Sequence, residues 1–369
     1  MTGYDYIDHL PTDFTSAGLR ADVLSGLLIE PKSLPPKWFY DKTGSALFEE
    51  ITRLPEYYPT RAERAILEHS ATEILARSGA RTVVELGSGS SEKTRLLLNA
   101  LPTDDAAYVA LDVSETALRQ ACESVAADYP ALRVTAVRAD FEHQLSAVLG
   151  SGSPSDEGST ADGSPAQNGL PLGGRPTAGT RSVAGLPGAG VPRAGAPAVG
   201  GRMLAFLGGT IGNLAPEQRR RFLAEVRAGL GAGDSFLLGA DLVKSPTVLV
   251  PAYDDAAGVT AAFNLNVLEV LNRQLAADFN REDFAHVAVW DPDEAWIEMR
   301  LRAVRPVRVW IADLEVEVRL AAGEEIRTEI SAKFTHDRLR AEFAAAGFSP
   351  AGWWTDSEDR FSLSLWMPV

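Results

Sequence analysis

The chain carries a chemically distinctive group after each of four short apolar runs. "VVELGSGSSEKTRLLL" (Val83–Leu98) places Glu85-x-Gly87-x-Gly89 between an apolar run and an amphipathic stretch. "AYVALDV" contains Asp112 at its end, "LRVTAVRAD" leads into Asp140-Phe141, and "RMLAFLGG" opens into "LGGTIGNL". The first turn is not a dinucleotide fingerprint, because Glu92 stands where the third glycine of G-x-G-x-x-G is required. Nor is it a P-loop, since Lys93-Thr94 lacks the upstream glycine spacing. What remains suits a nucleoside without phosphates. Asp112 can accept hydrogen bonds from two ribose hydroxyls, Asp140 can accept from an exocyclic amine, and Phe141 can stack on a purine. S-adenosylmethionine fits that description. Taken singly, each carboxylate is also the residue type of an ordinary helix cap, and each glycine turn of a tight connection. Their succession at consecutive strand ends is what points to one ligand.

Those ends must be brought to one edge, and the surrounding pattern predicts how. "RAERAILEHSATEILARSG" has helical periodicity and stops at Gly79. "TVVEL" reads as a buried strand, followed by a helix over about 91–99. Ser114 caps "ETALRQACESVAADY", and Pro216 opens "PEQRRRFLAEVRAGL". With "GDSFLLGADL" as a fifth strand, the alternation predicts an α/β fold whose parallel sheet is wound by right-handed crossovers. Ligands of such sheets lie beyond the carboxyl ends of the strands. After Leu242 the alternation gives way to a mainly helical stretch and then to antiparallel strands, before "THDRLRAEFAAAGF" returns to a helix capped by Thr335. The expected organisation is a discontinuous wound domain (61–243 and 333–369) and an accessory α+β domain made of 1–60 and 244–332. Residues 150–201 are almost wholly Gly, Pro, Ala, Ser and Thr. They cannot bury enough apolar surface to offset the entropy of ordering and read as a disordered insert.

Bulk properties narrow the function classes. The chain has 369 residues, 45% of them apolar, and a net charge of −15, which argues against a nucleic-acid groove. Cys122 is the single cysteine, and the five histidines are scattered, so neither a disulfide nor a metal site is expected. With no leader-like start and no run of 18 apolar residues, a cytoplasmic protein without a membrane partner is expected.

Beyond these patterns the sequence resembles one family. "LPPKWFYDKTGSALFEEITRLPEYYPTRAE", "VVELGSGSSEKT", "FLGGTIGNL", "AYDDAAGVTAAFN" and "TEISAKF" are similar to the histidine Nα-methyltransferases that form hercynine for ergothioneine biosynthesis. The likeness runs from about residue 20 to the end, except for the insert. It implies a class I S-adenosylmethionine methyltransferase with a Rossmann-like doubly wound sheet, L-histidine as substrate, and a monomer. It also implies that Gly87, Lys93, Asp112, Asp140 and Phe141 contact the methyl donor. The histidine site would be made by Tyr57, Asn213, Tyr253, Glu329 and Ser331, with Tyr40 beside the reacting amine. Met299 is a further candidate for the pocket wall. Departures from the family pattern are "GGT" at Gly208–Thr210, where serine is as readily expected, and the insert.

The residue types suit that chemistry. Asn213 and Tyr253 are neutral donors for a carboxylate, and Glu329 and Ser331 lie two apart on an expected strand, so both face one side. The neutral amine is the nucleophile, and positioning alone contributes several kcal/mol, up to roughly 7–11 in ideal cases. A product that ends as a quaternary ammonium suits tyrosine faces, at about 0.5–2 kcal/mol per contact. Two alternatives remain at this level: methylation of another aromatic amino acid such as tryptophan, and a non-catalytic ligand-binding methyltransferase fold.

Overall fold

A computed structural model describes residues 3–11, 14–102, 104–141, 144–150 and 201–369. Thirteen strands occur among them: β1 (Asp5–Asp8), β2 (Ala80–Leu86), β3 (Ala107–Asp112), β4 (Arg133–Arg138), β5 (Gly201–Phe206), β6 (Ser235–Asp241), β7 (Phe284–Asp291), β8 (Trp296–Ala303), β9 (Val307–Ile311), β10 (Val316–Leu320), β11 (Glu325–Ala332), β12 (Phe348–Thr355) and β13 (Phe361–Pro368). The large sheet has the order β1-β4-β3-β2-β5-β6-β13-β12. Its first six strands are parallel, and β13 and β12 close it antiparallel. The chain starts the winding at β2, proceeds to β3 and β4 on one side, then returns to β5 and β6 on the other. That reversal is the topological switch point where doubly wound sheets bind ligands. With β13 inserted antiparallel beside β6, this is the class I methyltransferase arrangement.

Local chemistry sets the boundaries. The helix Pro59–Ser78 ends at Gly79, and Ser114 caps Glu115–Asp128 by accepting from the Ala117 N–H. The helix after β2 is shorter than the pattern predicts, running Thr94–Leu98. Ser91 sits at φ 56° with its hydroxyl bonded to Tyr108 Oη, so no helix can begin there. The insert expected at 150–201 lies, over 151–200, outside the described residues. Gly201 already belongs to β5 and pairs with Ala80.

The accessory region pairs β11-β8-β7 and β10-β9 as two small antiparallel sheets, packed by the helices Pro246–Tyr253 and Val259–Leu275. Residues 1–60 were expected there as a unit, and that is corrected in part. Asp5–Asp8 instead extends the large sheet, parallel to β4. The open edge of β4 offers a full backbone ladder, and Tyr6 lies 3.6 Å under the Arg119 guanidinium. The rest of the segment does meet the accessory region. Asp41 bonds Asn266 and Arg273, Arg20 bonds Asp313, and Ser33 bridges Arg327.

Two features of this scaffold aim side chains at the cleft. The chain passes between the regions twice, side by side: Phe334 N donates to Asp241 O and Val243 N to Phe334 O, both at 2.9 Å. In β11, a bulge between Arg327 and Glu329 shifts the register against β8. Before it, Arg327 faces the side of Arg300. After it, Glu329 pairs with Met299 and Ser331 with Ile297, on the apolar side of β8. One extra residue thus turns Glu329 and Ser331 inward.

Candidate active site

The end of the candidate site at the tips of the wound strands is built from turns. Gly87 (φ 66°) and Gly89 (φ 49°) adopt a conformation that side chains resist. It lets the N–H groups of Gly87 and Ser88 both reach Leu111 O, at 2.8 and 3.0 Å. The Gly89 N–H donates to Asp112 Oδ2 at 3.0 Å and the Ser114 N–H to Oδ1 at 2.9 Å. A carboxylate has about four acceptor positions, so Asp112 keeps acceptor capacity beyond the backbone N–H groups around it. Burial pushes its pKa up, opposed by those N–H groups. Glu85 is buried. It accepts from Thr94 and from Tyr108 Oη, anchoring the turn, and burial pushes it up to about 7. Asp140 is buried beyond the end of β4. Its N–H donates to Gln144 Oε1, while Gln144 Nε2 donates to the carbonyl of His9. Phe141 packs edge-on against Phe206, ring centres 5.2 Å apart.

Lys93 is paired with Glu63, a fully buried carboxylate from the helix Pro59–Ser78. Glu63 also accepts the Gly208 N–H, at 2.8 and 3.0 Å to its two oxygens. The pair therefore ties the turn after β2 to the turn after β5. Gly239 on β6 has no room for a side chain, because a Cβ would collide with the Glu63 carboxylate.

The other end, at β11, is built from side chains of distant segments. A row of aromatic contacts links Tyr40 to Phe48 (5.5 Å), Phe48 to Tyr57 (6.2 Å) and Tyr57 to Tyr253 (6.5 Å). Tyr40 is 44% exposed, yet burial raises its pKa well above that of free tyrosine. A ring that solvent can touch while protein mass surrounds it is a ring in the wall of a cleft. Glu329, Tyr57, Tyr253 and, last, Asp112 push its pKa further up, so Tyr40 is surrounded mainly by the groups near β11. Glu329 is half-buried and has no hydrogen-bond partner among the described residues. Burial pushes it up to about 7, with Lys333 pulling the other way. Met299 lies directly across from it and is buried in the core. Asn213 ends the 3-10 turn Thr210–Asn213. At its neighbour Gly212 an added Cβ would come within 2.8 Å of Ala332 O and 3.5 Å of Ser331 Oγ, so this turn presses onto β11. The Asn213 amide and the hydroxyls of Tyr40 and Tyr57 also make no hydrogen bond to a described residue.

Beneath these groups lies a network that the sequence pattern does not reveal. Lys333 is fully buried and donates to Tyr253 Oη (2.7 Å), Ser331 Oγ (2.8 Å) and Asp241 Oδ2 (2.8 Å). Tyr253 and Ser331 are themselves bonded at 2.8 Å. Asp241 further accepts from Tyr58 Oη (2.9 and 2.8 Å) and Lys244 (2.6 Å). Burial opposes the Asp241 charge, but Lys333 and Lys244 hold its carboxyl below the ordinary range. Burial lowers Lys244 to about 8 against the pull of Asp241. Tyr58 is buried in the core, and its hydroxyl belongs to this network. Two signals were available. Asp241 ends the fifth wound strand as Asp112 ends the second, and Lys333 continues the alternation of Glu329 and Ser331.

A family model described as histidine-specific methyltransferase, SAM-dependent, matches residues 19–158 and 190–368. The histidine N-alpha-methyltransferase of Mycolicibacterium smegmatis is 46% identical over 360 residues, 97% of each chain. The Mycobacterium tuberculosis enzyme of the same name is 44% identical over the same shares. The chain belongs to this family. A 4-dimethylallyltryptophan N-methyltransferase of Claviceps purpurea, by contrast, is 33% identical over only 132 residues, 34% of this chain and 38% of its own.

As an S-adenosylmethionine-dependent histidine-specific methyltransferase, the chain has a cofactor end that fits its methyl donor. Asp112 keeps acceptor capacity of the kind that ribose hydroxyls require. Among the described residues of this family member, no group of His, Cys, Asp or Glu could hold a metal ion, and no helix is long and apolar enough to cross a membrane.

Proposed function

We propose that the chain trimethylates the α-amine of L-histidine, giving hercynine, as a step of ergothioneine biosynthesis. S-adenosylmethionine supplies an activated sulfonium methyl when bound. In this reading Asp112 accepts from its ribose, Asp140 and Phe141 hold its adenine, and Gly87 with Lys93 holds its amino acid end. The observation that carries the substrate assignment is Glu329. It is an unpaired carboxylate turned inward by the bulge, beside the hydroxyl of Ser331 and across from Met299. A carboxylate suits an imidazole N–H and is poorly matched to a larger apolar ring. Tyr253 and Asn213 bind the amino acid carboxylate, and Tyr57 binds the amine end.

Tyr40 stands beside the amine. Its raised pKa keeps the hydroxyl protonated, so it acts as a neutral hydrogen-bond partner and not as a phenolate base. Its ring face accommodates the cation as methyl groups accumulate. The amine proton leaves through water at the open side of the cleft, where Tyr40 is exposed. The test is mass spectrometry after incubation with S-adenosylmethionine and equimolar histidine, tryptophan and tyrosine. Histidine gaining three methyl groups is expected, and methylation of tryptophan instead would overturn the substrate assignment.

A further inference from the structure

Lys333 has no solvent exposure, yet all three of its ammonium protons are placed: one on Asp241, one on Tyr253 and one on Ser331. A hydroxyl has one proton and two acceptor positions. Lys333 takes one acceptor position on each hydroxyl, and the Tyr253–Ser331 bond takes one proton and one further acceptor position. The hydroxyl that receives this bond has only its own proton left to offer. The other keeps one acceptor position. The pair therefore presents one donor and one acceptor to the cleft, and two donors or two acceptors at once are excluded. Either direction of the Tyr253–Ser331 bond is open. When a carboxylate, a stronger acceptor than a serine hydroxyl, faces the pair, the phenol as the stronger donor turns outward to it and Ser331 donates to Tyr253. The ammonium of Lys333 also lies 4.6 Å from the centre of the Tyr253 ring, placing positive charge behind that donor.

We propose that Lys333 is a positioning residue that, by filling an acceptor position on each hydroxyl and setting its charge beside them, biases the Tyr253–Ser331 pair to donate to the amino acid's carboxylate, and so fixes which end of the substrate lies at β11. Without it, each oxygen regains an acceptor position and the pair loses the positive charge lying against both hydroxyls, which is what favours a carboxylate over an ammonium there. Asp241 holds the cation in place at the two chain crossings, and it is itself held by Tyr58 and Lys244. Loss of Lys333 thus leaves Asp241 with two partners, which preserves the crossing. The inference rests on the reading above that Tyr253 faces the carboxylate.

The experiment compares L-histidine with L-histidinol, which lacks the carboxylate, as substrates of the wild-type chain, Lys333→Met, Tyr253→Phe and the double variant. S-adenosylmethionine affinity and thermal unfolding are measured on each. The ratio of kcat/KM values, histidine over histidinol, is expected to fall roughly tenfold or more in Lys333→Met, as for loss of a charge-assisted hydrogen bond. In the Tyr253→Phe background, Lys333→Met should add little, because both changes remove the same directed donor. A purely structural role would lower both substrates equally and leave the ratio unchanged, and that result overturns the proposal. So does an additive double variant. Should Lys333→Met fail to fold, Lys333→Gln is read by the same ratio, and failure of both to fold assigns Lys333 to structure alone. A wild-type chain that does not prefer histidine to histidinol sinks the carboxylate reading itself, separately from Lys333.

Discussion

The two ends of the cleft are built by opposite means. At the end that the proposal gives to the cofactor, backbone N–H groups of Gly89 and Ser114 hold Asp112, and a stretch of roughly thirty residues contains most of the turn chemistry. At the end proposed for the substrate, Tyr40, Tyr57, Asn213, Tyr253 and Glu329 come from five separate segments, and a buried ion network lies beneath them. The difference has a physical cause. A nucleoside can be met by main-chain groups whose geometry a strand-turn-helix unit supplies locally. An imidazole, an amine and a carboxylate need side chains placed by tertiary structure.

The comparison predicts separable losses. The largest is expected for Asp112→Ala, which removes the ribose acceptors and leaves two N–H groups without their carboxylate. Affinity for S-adenosylmethionine, followed by calorimetric titration, should fall by about 100-fold, given about 1.5–3 kcal/mol per hydrogen bond to a charged group. L-histidine affinity, measured without cofactor, should change little.

Glu329→Gln should lower kcat/KM for histidine by roughly 10- to 30-fold. Its pH profile adds a sharper test. The wild-type carboxyl is pushed up to about 7, so it is ionised above that pH, and activity should drop as pH falls through it. The variant should lack that limb. Stability should move in the opposite sense. A carboxyl with a folded pKa above its unfolded value disfavours the folded state once pH rises through the window from about 4.5 to 7. Glu329→Gln should therefore melt higher than wild type at pH 8, by on the order of 2 kcal/mol, and show little difference at pH 5.

Legibility in the sequence follows the same division. The wound strands, the glycine turn, Asp112 and the Ser114 and Thr335 caps all depend on residues within one turn or strand, and the pattern locates them. Tyr40, Tyr57 and Asn213 gained meaning only through likeness to a family, because a tyrosine beside prolines also suits core packing. Lys333 was passed over, since a fully buried lysine runs against what composition leads one to expect. The bulge that turns Glu329 inward depends on its pairing with β8, which periodicity within β11 does not encode. The placement of Asp5–Asp8 depends equally on a partner far away in the chain, the free edge of β4.

The smallest effect is expected for Tyr40→Phe, which keeps the ring and its packing on Phe48 and Phe263 but removes the hydroxyl. The rate should fall by less than about tenfold, while the proportions of mono-, di- and trimethylated histidine shift, as read by mass spectrometry of early time points. An unchanged product distribution would remove Tyr40 from the neighbourhood of the amine.

The most direct test of the two-ended site is a crossed pair of calorimetric titrations, S-adenosylmethionine and L-histidine, each against Asp112→Ala and Glu329→Gln. The account predicts that Asp112→Ala loses the cofactor and keeps histidine, and that Glu329→Gln weakens histidine while cofactor affinity stays within about twofold. Equal weakening of both ligands by Glu329→Gln would contradict it, because Glu329 would then belong to the shared fold and not to the substrate end.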